Sequence, residues 1–198
     1  MGLPIESDVK RILSRIIPML LTIGRGAWQD WLTSSEAGRT RFSRTRAAVI
    51  WERMIDRAIT AFDSIPGIRH IEKFQTVSFI IDNYVLFRFK KANSKYLSHN
   101  IQTKLALAFH DPNARLPYFE DMDFIRVEVV YVLNKLETEL QGIYVVARQG
   151  RKTLWHYDVS APEAIIREFP ESVQRTPAED LVQLPLKEKR ISGRNKKE

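Results

Sequence analysis

Near residue 76 the apolar residues of this chain stop recurring every three or four positions and begin to alternate, and no other feature restricts the fold as much. A helical period followed by a strand period requires helices and sheet to bury one another's apolar faces, which is an α+β arrangement. With 198 residues and 44% hydrophobic content, one core is affordable and two full domains are not expected.

Before the change of period, Val9, Ile12, Leu13, Ile16, Ile17, Leu20 and Leu21 line one stripe of a helix. Ser7 is placed to cap it, Pro18 to kink or divide it, and Gly24 and Gly26 to end it. Trp28, Trp31 and Leu32 then continue an apolar turn. Residues 1–35 are thus expected to be an amphipathic helical segment whose stripe packs in the core or joins copies into a homo-oligomer. The sharper alternative is a basic helix lying on a membrane surface. Residues 33–45 read as a polar linker, and Ala47, Ile50, Trp51, Met54, Ile55, Ala58, Ile59 and Phe62 predict a second helix over 44–62.

After it, residues 76–81 and 84–90 alternate about Asp82-Asn83 and predict a hairpin. Its second strand sets Val85, Phe87 and Phe89 on one face, and Tyr84, Leu86, Arg88 and Lys90 on the other. Residues 124–133, 141–148 and 153–159 predict three more strands, with Gly150 at the last hairpin tip and a short helix over 101–109 between the groups. The expectation is an antiparallel sheet of about five strands, in two hairpins and a meander, packed on N-terminal helices within a core domain over 40–160. Residues 161–198 are expected to be a disordered charged tail, with an apolar island at 179–186 suited to a protein partner.

The chain has no cysteine, which excludes disulfides, thiolate nucleophiles and cysteine zinc sites. Without a secretory signal or an apolar run long enough to span a bilayer, a cytoplasmic protein with no integral membrane segment is expected. The formal charge of +7 is spread along the chain: residues 1–75 carry 12 basic and 8 acidic side chains, 76–160 carry 11 and 9, and 161–198 carry 8 and 7. Such an excess fits RNA or DNA, and equally a solvated surface.

Glycine-rich phosphate loops, paired metal-binding histidines and nucleophile elbows are missing from the sequence, and His70, His99, His110 and His156 are scattered. Arg88, Lys90, Lys91 and Lys95, followed by Asn93, Ser94, Asn100 and Gln102, place cations and amides where a phosphate would be held. The plainer account is a charged edge strand. Arg44 and Arg46 beside Trp51 form a second basic-aromatic group, for which core packing and solvated arginines are the competing account. Glu52, Asp82, Lys90 and Glu128 are the candidates for a metal-dependent nuclease, the one reading that would bring in magnesium. That pattern wants an acid where Arg88 stands, so no metal site and no cofactor is assigned.

The stretches RTRAAVIWERM at 44–54, LFRFKKAN at 86–93, NIQT at 100–103 and VEVVYVLNKLETELQGIYVV at 127–146 together resemble a family of bacterial and prophage proteins encoded beside Xre-type or ImmA-like regulators. The resemblance spans about residues 40–160. It implies a toxin-like or defence-associated protein of a mobile element, acting on or near nucleic acid and controlled by an antitoxin or regulator protein. It transfers no catalytic residue. The alternative is a non-enzymatic adaptor or inhibitor.

Overall fold

The computed structural model describes residues 3–98, 103–117, 119 and 122–161, and shows an α+β fold. The expected tail, with its island at 179–186, lies outside the described residues, as do His99, Asn100 and Gln102.

Helix α1 (Glu6–Leu13) runs through a 3-10 turn (Ser14–Ile16) into α2 (Ile17–Thr33), and α3 (Ser43–Phe62) follows. Pro18 does divide the helix. It sits in the first turn of α2, where its missing N–H leaves no partner unmet, so the break falls just ahead of it. Ser7 does not cap α1, whose N-cap is Ile5 with no side-chain bond. Gly24 and Gly26 do not end α2 either. A Cβ on Gly24 would lie 2.3 Å from Ile143 Cδ1, and one on Gly26 would meet the Arg57 guanidinium at 2.7 Å. These glycines let α2 approach its neighbours closely, and tertiary contact carries the helix past them.

The sheet has six strands, in the order β1 (Ile68–Lys73), β2 (Thr76–Ile81), β3 (Val85–Ala92), β4 (Ile125–Leu133), β5 (Leu140–Gln149) and β6 (Lys152–Asp158). Two corrections follow. β1 was not foreseen, because an edge strand with four exposed residues of six shows no alternation. Its turn into β2 uses Phe74 and Gln75 at φ 49° and 57°, without the usual Asn or Gly. The sheet is also mixed: β3 and β4 pair in parallel over eight residues, Val85↔Ile125 to Ala92↔Val132, so the connection between them is a crossover and not a meander turn. The crossover contains α4 (Lys104–Phe109). The hairpin about Asp82-Asn83 forms as expected, with both residues at positive φ.

One face of the sheet carries Phe79, Phe87, Phe89, Val127, Val129, Tyr131, Ile143 and Val145, all buried against α1, α2 and α3 in a single cluster. The apolar stripe of the N-terminal helices is used there: Val9, Leu13, Ile16, Ile17 and Leu20 are at most 1% exposed. Those five residues are thus spent within the core, and Ile12 and Leu21 of the same stripe are partly buried against it. Among the described residues no helix is long and apolar enough to cross a membrane.

Candidate functional site

The pleat of β3 decides how its cations are used, because successive side chains leave opposite faces. Arg88 points away from the helices. There it donates to Glu128 Oε1 through Nε (3.3 Å) and Nη2 (3.2 Å), and its guanidinium lies 3.7 Å from the centre of the Phe109 ring. Ser98 Oγ (2.8 Å) and Arg148 Nη1 (3.2 Å) donate to the other oxygen of Glu128. Burial alone would raise the Glu128 carboxyl, but the charges of Arg88 and Arg148 and the hydrogen bond from Ser98 outweigh it and hold the group below the ordinary carboxylate range. Burial keeps His110 neutral at pH 7, with its pKa down to about 4, so its Nε2 accepts from Arg88 Nη2 at 3.2 Å. This cluster pins the crossover to the sheet, and Arg88 is unavailable to a ligand.

Lys90 shares that face. It is half-buried and has no hydrogen-bond partner among the described residues. Burial and the neighbouring charge of Arg88 bring it down to about 8. Lys91 leaves the opposite face and meets the turn between β4 and β5, where Glu137 accepts from it. Burial opposes ionisation of Glu137, yet hydrogen bonds from Lys91 and Ser43 and the charges of Lys91 and Arg46 hold its carboxyl below the ordinary range. The cations ending β3 are thus not a single patch, as the sequence suggested; two of the four are locked to acids of the same chain.

A groove nonetheless forms around them. It encloses about 1120 Å³ and is lined by Ser43, Arg44 and Trp51 of α3, Gln75 of the β1–β2 turn, Lys90 to Ser94, and Asn134, Lys135 and Glu137 of the β4–β5 turn. It opens at the C-terminal ends of β3 and β4, the parallel pair, where α/β sheets generally bind ligands. Trp51 Nε1 donates to the Phe89 carbonyl (3.1 Å), beyond the last β2–β3 pair, Phe79↔Phe87. Asn93 shapes the far wall, its side-chain oxygen accepting from the N–H groups of Lys95 and Leu97.

Charge is where folding changes the picture most. Among the residues that line the groove, Arg44, Lys90, Lys91 and Lys135 are cationic and Glu137 alone is acidic, a net of +3. Arg44, Lys95 and Lys135 make no ion pair among the described residues. Sequence reasoning picked out Arg44, Arg46, Lys90, Lys91 and Lys95, but missed Lys135 and Glu137, which lie more than 90 residues from Arg44 and carry no local signal.

The residues weighed for a nuclease do not converge. Glu52 is exposed on α3, on the helical side of the sheet. Asp82 is at the β2–β3 turn, paired with Arg15 at 2.9 Å, and Glu128 is buried on the opposite side among arginines. No group of three His, Asp or Glu side chains suited to a metal ion occurs among the described residues. Comparison with protein-family models, curated proteins and solved structures found no match.

Proposed function

We propose that this chain binds RNA or DNA in the groove at the ends of β3 and β4. The observation carrying this reading is that Arg44, Lys90, Lys91 and Lys135, from segments far apart in sequence, line one groove against a single carboxylate. Lys90 supports it, since an unpaired half-buried amine costs folding energy and gains from an arriving phosphate. By the resemblance of residues 40–160, the role is that of a toxin-like or defence-associated protein held in check by an antitoxin.

Arg44, Lys95 and Lys135 hold nothing else in place, so exchanging all three for Ala leaves the fold intact. Anisotropy of a labelled single-stranded oligonucleotide over a series of salt concentrations should show weaker binding, with the slope of log K against log salt reduced by about 2, roughly 0.7 for each lost phosphate contact. Identical slopes for the two proteins would remove the reading.

A second reading, a protein-interaction module, is favoured by Phe42, Phe74 and Leu136. These are 65%, 70% and 78% exposed and adjoin groove residues in sequence. Expression tests separate the two: growth arrest lost in a folded Lys90→Ala variant supports the toxin, and harmless expression with an acidic partner bound in the groove supports the adaptor.

A further inference from the structure

Glu137 is the sole carboxylate in the basic walls of the groove, and three groups reach for it. Ser43 Oγ donates to its Oε1 at 2.9 Å, Lys91 Nζ pairs with the same oxygen, and Arg46 Nη1 stands 3.4 Å from Oε2. The set is a hydroxyl, an ammonium and a guanidinium, the donors that hold a phosphate oxygen. The carboxylate fills them incompletely, because its Oε2, although shielded from solvent, accepts no hydrogen bond, and Arg46 Nε is likewise unmatched.

The main chain keeps Glu137 in position independently of its carboxylate. Asn134 accepts from the N–H groups of Glu137 (2.9 Å) and Thr138 (2.9 Å), and Arg46 Nη1 donates to the Glu137 carbonyl at 2.8 Å. The residue sits at φ 56°, in the left-handed region, held by those bonds. Rotation about the side-chain bonds can therefore withdraw the carboxylate while the turn stays closed.

We propose that Ser43, Arg46 and Lys91 form a phosphate subsite of the groove, and that Glu137 is its internal occupant, displaced when a phosphate of the nucleic acid arrives. This rests on the reading of the groove as a nucleic-acid site, and adds which residues grip a phosphate and what competes with it. Glu137 weakens binding and makes it selective for ligands anionic enough to expel it.

The test compares the full chain with Glu137→Gln, using a short labelled single-stranded RNA at fixed salt. The variant should bind about tenfold more tightly, equivalent to ~1.4 kcal/mol. In a Lys91→Ala background the same exchange should bring little gain, since the subsite has lost its ammonium. Should Glu137→Gln melt early, Glu137→Asp keeps the charge but falls a methylene short of Ser43 and Lys91, and should also tighten binding. If the natural chain binds RNA and loses it in the Arg44, Lys95 and Lys135 triple variant, yet folded position-137 variants bind no better than the natural chain, the subsite is overturned and the groove stands. No binding by any of them removes the groove reading, and the subsite with it.

Discussion

The two faces of the sheet are closed by different physics. Toward the helices, Phe79, Phe87 and Phe89 interlock with Phe62 through stacked and edge-on contacts with ring centres 5.2 to 6.2 Å apart, within an apolar cluster. Beneath the crossover, the same strands present Arg88, Arg126 and Glu128. Here the covering chain is tied down by charge: Arg126 donates to the carbonyls of Ala108, Asp111 and Ala114, and Glu128 gathers Arg88, Ser98 and Arg148. The helical face needs only shape and hydrophobicity, whereas the crossover face needs particular partners in particular protonation states.

The sharpest way to break this contrast is Glu128→Gln. It leaves two buried guanidinium groups facing a neutral amide, and should cost about 3–5 kcal/mol at pH 7 by urea unfolding. A loss below about 1 kcal/mol would mean that the charge cluster does not hold the crossover.

Acid should separate the faces next. Burial brings His110 down to about 4 in the fold, against 6.5 for an ordinary imidazole. Between those limits the unfolded chain binds a proton that the folded chain refuses, so stability falls as pH drops from about 6.5 to 4, by roughly 2–3 kcal/mol. Glu128, depressed in the fold, adds a further loss below the ordinary carboxylate range. His110→Gln should flatten the first decline in a pH series of urea midpoints, whereas Phe87→Leu should shift the whole curve down without changing its form.

The smallest effect is a stabilising substitution. Burial brings Lys90 down to about 8, against 10.5 for an ordinary lysine, so the folded state holds that charge reluctantly at neutral pH. Its contribution to stability improves as pH rises from 8 to 10.5. Lys90→Met should raise stability at pH 7 by about 1 kcal/mol while weakening oligonucleotide binding, the exchange expected where a residue is retained for a ligand. A destabilised Lys90→Met would place Lys90 among the residues that hold the crossover.

Much of the fold was legible in sequence because it rests on local period. The second helix was expected over 44–62 and is Ser43–Phe62, and the face expected for Val85, Phe87 and Phe89 of β3 is the one buried against the helices. What could not be read was set at long range: β1, whose edge position removes the alternation; the parallel β3–β4 pair, which depends on the route of the crossover; and the use of Gly24 against Ile143. The candidate site was half legible. Arg44, Lys90 and Lys91 do line one groove, but Arg88 is lost to Glu128, and Glu137 was invisible as a groove residue.

The sequence by itself determined the helix-then-sheet order, the hairpin about Asp82-Asn83 and the total charge, because each follows from neighbours along the chain or from simple composition. Only the tertiary structure decided where that charge acts. Arg44, Lys90, Lys91 and Lys135, far apart in sequence, come to line one groove when parallel pairing brings the ends of β3 and β4 beside the start of α3. Electrostatic potential depends on distance through space, and no count along the chain contains that distance.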